Sequence, residues 1–247
     1  MSRVVSWFSC GAASAVATKL VLLEGPTTIA YCDTGSEHPD NARFMAECER
    51  WFGQAVTVLK SEKYTDTWDV WTRRKYLAGN EGAPCTGLLK VEPRLEFQRP
   101  NDVHVFGFTN DKRDVTRAKD IRANNFDMTI RTPLIERRLD KAACLALIQG
   151  AGIKEPVTYA MGFPNANCLP CVKATSPNYW ALYRHHFPEG FARMVKLSRE
   201  LGVRLTRIKN ERIFIDEIPA DWPMTQAIAP ACDLMCGAVA SILEPIT

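Results

Sequence analysis

Cysteines are the residues of this 247-residue chain that most invite chemistry, and there are nine of them. Asn167-Cys168-Leu169-Pro170-Cys171 is a C-x-x-C in a loop-like setting. Two thiolates at that spacing suit a zinc half-site, a redox pair or an iron–sulfur half-site. A thioredoxin-type pair is disfavoured, because the motif follows an Asn/Pro loop late in the chain rather than opening the helix of an early βαβ unit. Cys85 precedes Lys90 in Pro84-Cys85-Thr86-Gly87-Leu88-Leu89-Lys90-Val91-Glu92-Pro93. Ala231-Cys232-Asp233-Leu234-Met235-Cys236 sets two more cysteines at i and i+4, which share one face of a helix. Cys32, Cys48 and Cys144 sit among apolar neighbours in regular elements and read as buried, inert thiols.

A second chemical feature opens the chain. After a short apolar run, Ser9-Cys10-Gly11-Ala12-Ala13-Ser14 leads into a helical pattern. Small residues there let backbone N–H groups approach an anion, helped by the partial positive charge of the helix N-terminus. Ser9 and Ser14 add hydroxyls. The loop is neither a Walker-type P-loop nor a GxGxxG fingerprint.

The elements that must position these residues alternate. Strand-like runs at 4–8, 27–32, 55–59 and 103–108 are interleaved with helical patterns at 14–23, 40–52 and 111–124. Such alternation predicts an α/β fold, a mostly parallel sheet with helices on both faces. Ligands bind such sheets at the carboxyl ends of strands, so the 9–13 loop and the polar 33–40 loop are expected to border one crevice. The stretch 60–84 reads equally as helix or flap. From about residue 161 the pattern turns to an Asn/Pro/Cys-rich loop and two helices, 177–186 and 189–201. One domain is expected over 1–247, with a nucleotide-binding core over 1–160 and a cysteine-bearing helical extension over 161–247. Trp180, Tyr183 and Phe187 recur at helical spacing and read as core. His185-His186 lacks a third ligand nearby and reads as packing or surface. Arg137-Arg138 reads as a solvated helix start.

Composition sets the bounds. The 31 basic and 28 acidic residues leave a net charge of +3, too small for a duplex-coating protein. No apolar stretch approaches the roughly 20 residues that span a bilayer, and the N-terminus lacks a signal peptide's layout. A cytoplasmic protein with no membrane partner is expected, in a compartment where disulfides are disfavoured.

Taken in order, the Ser9–Ser14 loop, Asp33-Thr34-Gly35-Ser36-Glu37-His38-Pro39-Asp40, Lys90-Val91-Glu92-Pro93, and Gly107-Phe108-Thr109 with Arg117 downstream resemble the phosphoadenosine phosphosulfate reductase family. That family has an adenine nucleotide alpha-hydrolase-like fold with a modified PP-loop. The resemblance implies that Ser9, Gly11 and Ser14 hold phosphate or sulfate oxygens. Asp33, Thr34 and Gly35 would lie along an adenine nucleotide substrate, and Lys90 and Arg117 would face its anionic end. Where ATP pyrophosphatases of this fold carry Ser-Gly-Gly-x-Asp-Ser, this chain has Cys10 and Ala13 at the Gly and Asp positions. The missing carboxylate weakens a magnesium–ATP reading.

In cluster-bearing members of that family a Cys-Cys pair precedes Lys-Val-Glu-Pro and a C-x-x-C follows. Here Thr86 replaces the second cysteine of the pair. The resemblance therefore implies a 4Fe–4S cluster on Cys85, Cys168, Cys171 and Cys236, with Cys232 as the nucleophile and Lys90 tuning it. Exchanging the roles of Cys232 and Cys236 is the alternative, and four thiolates also suit zinc. Sulfonucleotide reductases end in a Glu-Cys-Gly-Leu/Ile-His motif, from which Ala231, Asp233 and Met235 depart.

The activity implied is reduction of an adenylyl sulfate, APS or PAPS, with a thioredoxin-like reductant as partner. Alternatives are an ATP-dependent sulfur transferase acting on tRNA or DNA, and a non-catalytic nucleotide or redox sensor. A homo-oligomer is compatible with each.

Overall fold

The structure, a computed structural model, describes residues 2–79 and 82–225. The chain divides into two compact units. One comprises Met1–Asp33, Pro39–Leu59 and Arg94–Pro156, and the other Thr34–His38, Lys60–Pro93 and the chain from Val157 onward.

The first unit is a five-stranded parallel sheet, β1 (Val4–Trp7), β2 (Thr27–Cys32), β3 (Thr57–Leu59), β4 (Val103–Val105) and β5 (Thr129–Arg131), in the order β3-β2-β1-β4-β5. β1 lies at the centre, with Val4 opposite Thr27 on one side and Val103 on the other. A central strand covered on both faces needs an unbroken apolar run rather than alternation. Val5 and Trp7 accordingly are buried, and so are Ile29 to Cys32 in β2. The one polar member, Ser6, is buried too, and its hydroxyl pairs with that of Thr18 at 2.8 Å. Thr18 belongs to helix Ala12–Glu24, which packs on β1, on β2 and on the helices Asp40–Phe52, Pro133–Glu136 and Lys141–Gly150. Its buried face is built from Ala12, Ala15, Val16, Ala17 and Val21.

Two strands differ from expectation. β4 stops at Val105 instead of running to residue 108, because the chain turns away into Phe106–Thr109 after one more backbone bond, Phe106 N–H to Arg131 O. β5 was not legible, since three residues with exposed and half-buried side chains carry no usable periodicity. Arg137 and Arg138 close helix Pro133–Glu136 rather than starting one. The next helix begins at Lys141, where the Asp140 carboxylate caps the Ala143 N–H at 2.8 Å.

The second unit resolves the ambiguous 60–84 stretch. Helix Thr67–Arg74 starts there, capped by Asp66, whose carboxylate accepts the Asp69 N–H at 2.7 Å. Further on, Pro84–Thr86 leads into a π-helical turn, Gly87–Val91, in which the Glu92 N–H bonds to Gly87 O. The wide turn has a sequence cause. Pro93 has no N–H, and in an α-helix its ring would clash with the carbonyl four residues back. Opening the turn ahead of it relieves that conflict.

Helices Pro177–His186 and Pro188–Glu200 both begin at proline, suited to the first helical turn. A hairpin of β6 (Thr206–Ile208) and β7 (Glu211–Ile213) follows. The core of this unit gathers Trp71, Leu89, Tyr179, Trp180, Met194 and Ile215, and it includes Tyr183 as the spacing predicted. Among the described residues no helix is long and apolar enough to cross a membrane.

His104 in β4 carries a pH dependence. It is buried, and its ring lies edge to edge and nearly coplanar with that of Trp7, whose indole N–H donates to its Nδ1 at 3.0 Å. An imidazolium would set a second N–H against that donor. Burial, together with the Arg94 charge, pushes the imidazole down from 6.5 to about 4. Between those values the unfolded chain binds a proton that the folded chain refuses, so stability falls as pH falls. Urea unfolding across this window should lose about 3 kcal/mol. His104→Asn, whose amide oxygen stands near the Nδ1 position as an acceptor for Trp7 but does not titrate, should flatten the curve there.

Candidate functional site

In the first unit the site is built at the point where strand order reverses, between β1 and β4, the location that favours ligands in open α/β sheets. The chain leaves β1 through Ser9, Cys10 and Gly11. Cys10 is fully buried with φ of 52°, a left-handed conformation unusual for any residue but glycine. That turn brings three donors onto one atom. The Ser14 Oγ accepts from the Ser9 N–H at 3.0 Å, the Ser9 hydroxyl at 3.1 Å and the Gly11 N–H at 3.4 Å, and itself donates to Gly11 O at 2.9 Å. Donors converging at the start of a helix form the kind of cradle that accepts an anionic oxygen. Ser9, Gly11 and Ser14, singled out on the sequence, do come together.

The loop after β4 lies against this cradle. A Cβ on Gly107 would stand 2.6 Å from Ser14 Cα and 2.7 Å from Ser14 N, so only glycine allows the approach. Beyond it, Asp114 organises the loop by accepting the Thr109 N–H at 3.0 Å and the Thr109 hydroxyl at 2.9 Å. Its other oxygen accepts from Arg117 at 3.0 Å, and that guanidinium lies over the Phe108 ring at 5.1 Å. Arg117 is thus tied to the loop that carries Gly107. Asp33, half-buried at the end of β2, donates its N–H to Leu59 O.

In the second unit the remaining DTGSE residues form a tight turn. The Glu37 carboxylate accepts the Thr34 hydroxyl at 2.7 Å and the N–H groups of Thr34 at 3.2 Å and Ser36 at 3.3 Å. Gly35 has φ of 67°, and a Cβ there would meet Thr65 O at 2.3 Å. Ser36 is the junction. Its hydroxyl pairs with that of Thr67 at 2.8 Å and accepts the Thr67 N–H at 3.1 Å, while its carbonyl accepts the Leu169 N–H at 2.8 Å. Leu169 lies between Cys168 and Cys171, so the DTGS segment and the C-x-x-C loop are directly bonded.

Cys85, Cys168 and Cys171 are all buried in this unit. Cys85 and Cys171 belong to the same core cluster as Trp71 and Tyr179. The Cys171 N–H donates to the Tyr179 hydroxyl at 2.7 Å. Tyr179 is wholly enclosed, and burial holds its pKa well above the ordinary phenol value. Lys90 stands half-buried in the π-helical turn. Sulfur donors of this kind fit a thiophilic centre, zinc or iron–sulfur, better than magnesium. Among the described residues, however, no three His, Cys, Asp or Glu side chains gather closely enough to hold a metal ion. Cys232 and Cys236 lie outside the described residues. Cys32, Cys48 and Cys144 are buried, and burial pushes the Cys48 and Cys144 thiols up to about 12, as inert thiols should be.

Sequence reasoning overlooked Ser36, Glu37, Asp114 and Tyr179 as organising residues. Only Glu37 left a signal, a carboxylate three residues after a threonine in a glycine turn.

The sheet order, with a donor-lined loop at its reversal point, defines a doubly wound α/β protein. No protein-family model and no curated protein matches the chain. Matching solved structures include the phosphoadenylyl-sulfate (PAPS) reductase from Candida auris, in a phosphate complex. It is 12% identical, with 68% of this chain and 82% of that chain covered and a TM-score of 0.52. The chain has a PAPS reductase-like fold.

Two substitutions test the second unit. Gly35→Ala combines a left-handed backbone with a clash on a carbonyl, and urea unfolding should show a loss of about 2–4 kcal/mol. Tyr179→Phe strands the Cys171 N–H without an acceptor and should cost about 1–3 kcal/mol in the same assay.

Proposed function

We propose that this protein is a sulfonucleotide reductase-like enzyme of the phosphoadenosine phosphosulfate reductase family, acting on APS or PAPS in the cytoplasm. The observation that carries the reading is the Leu169 N–H to Ser36 O bond, which ties the C-x-x-C loop to the segment that follows β2 in a PAPS reductase-like fold. The donor cradle of Ser9, Gly11 and Ser14 supports an anionic ligand at the head of the first helix. One similar solved structure is a PAPS reductase in complex with phosphate. Ala13, standing where a magnesium-binding carboxylate would serve ATP cleavage, argues for a reaction that needs no such ligand.

In this reading Ser9, Gly11, Ser14 and Arg117 hold the anionic end of the nucleotide, and Asp33, Thr34 and Gly35 border it. The Cys232 thiolate attacks the sulfate sulfur, the S–O bond to the nucleotide phosphate breaks, and AMP or its 3′-phosphorylated form leaves. A dithiol reductant of the thioredoxin class then attacks the S-sulfonated cysteine. Sulfite departs with the electron pair of the S–S bond, and the dithiol ends as a disulfide. Lys90 favours the thiolate electrostatically. Cys85, Cys168, Cys171 and Cys236 would hold a 4Fe–4S cluster, whose four thiolate ligands suit iron or another thiophilic metal. Zinc is the other occupant that four thiolates accept.

The test is anaerobic purification with iron and sulfide analysis, followed by assay of sulfite release from APS and PAPS with reduced thioredoxin. Sulfite release is expected, abolished by Cys232→Ser with nucleotide binding and iron content retained. Pyrophosphate release from ATP only in the presence of RNA, with no sulfite formed, would overturn the proposal.

A further inference from the structure

The hairpin β6–β7 and the turn before it carry a run of cations that, among the described residues, no carboxylate neutralises, although Arg204 lies over the Phe214 ring at 5.2 Å. Arg204, Arg207, Lys209 and Arg212 fall within ten residues that contain a single carboxylate, Glu211. All four cations are exposed. Nearby Arg199 is neutralised by Asp216 at 2.9 Å and Glu217 at 3.1 Å. Among the described residues, Arg204, Arg207, Lys209 and Arg212 make no such ion pair.

Register brings two of these charges together. Arg207 and Arg212 are directly opposite each other across the hairpin. The Arg207 N–H is spent on Thr175 O at 3.2 Å, outside the hairpin. The two arginines therefore form a non-hydrogen-bonded pair, the kind in which facing side chains stand closest. Like charges in that position destabilise a sheet. Lys209 and Asn210, at φ of 48° and 69°, form the tight left-handed turn at the tip, which places Lys209 next to the pair. The Arg212 guanidinium donates to Arg204 O at 3.1 Å, drawing the cations into one short ribbon.

We propose that this hairpin is a docking surface for the phosphate backbone of a nucleic acid. Paired guanidinium groups match successive phosphates in charge and in bidentate hydrogen bonding, and a bound polyanion removes the repulsion that the unbound hairpin carries. A two-stranded ribbon also has the width that enters a duplex major groove. The hairpin is anchored where such contact would matter. Thr175 O accepts both the Arg207 N–H and the Thr206 hydroxyl, the latter at 3.0 Å, and Thr175 lies four residues after Cys171. A nucleic acid on the hairpin would thus sit beside the cysteine-bearing segment. The inference stands apart from the reductase chemistry and requires neither a nucleotide nor a metal.

The experiment uses the full chain with a labelled DNA duplex and a labelled RNA hairpin, titrated over a range of salt. Binding to at least one probe is expected, weakening linearly in log K against log salt. Arg207→Thr with Arg212→Thr should lower that slope by about two and weaken binding about tenfold or more. Urea unfolding of the same double variant should show equal or greater stability, because a repulsive pair has been removed. Lys209→Glu, at the exposed tip, should weaken binding by itself and guards against misfolding of the double variant. Absence of binding to both probes, unchanged affinity in the variants, or equal competition by polyglutamate would each overturn the proposal. The last outcome would assign the surface to an acidic protein.

Discussion

The architecture of the first unit depends on one missing methyl group. With no Cβ at Gly107, the chain leaving β4 can press against the backbone of Ser14. That contact joins the two loops flanking the reversal of strand order, so the donors around Ser14 and the Asp114–Arg117 pair belong to one surface. Any larger residue would have to displace backbone, not a pliable side chain. The left-handed Cys10 reflects the same constraint, since the chain must turn sharply enough out of β1 for Ser9 and Gly11 to face Ser14.

The second unit is organised by backbone satisfaction in a similar way. Irregular segments must find partners for their N–H and C=O groups when buried. The DTGSE turn finds them in the Glu37 carboxylate and Thr67, and the C-x-x-C loop finds them in Ser36 O and the Tyr179 hydroxyl. Two loops distant in sequence therefore share a hydrogen-bonding junction. The thiols of Cys85 and Cys171 lie in the aromatic core of this unit, and that of Cys168 is buried as well. The first unit thus carries a loop of converging donors, and the second a set of buried thiols.

Much of this was legible from residue order. The central strands β1 and β2 announced themselves as short runs rich in β-formers, and the two late helices were expected at 177–186 and 189–201, where the structure has Pro177–His186 and Pro188–Glu200. Ser9, Gly11 and Ser14 drew attention only in company, because a small-residue turn between a strand and a helix is common and the DTG and Lys-Val-Glu-Pro segments gave it its meaning. β5 escaped because three residues are too few to show alternation. The π-helical turn at Gly87–Val91 escaped because its cause, Pro93, lies beyond it.

Sequence alone determined the α/β class, the donor loop and the residue types able to hold sulfur chemistry, because these rest on local periodicity and on functional groups. Tertiary structure decided which of them meet. Ser36 bonds Leu169 across more than half the chain, Gly107 lies against Ser14, and Arg207 faces Arg212 through a hairpin register. Each depends on contacts between residues whose separation in sequence bears no relation to their distance in space. No local pattern encodes those contacts, and only the folded chain makes them.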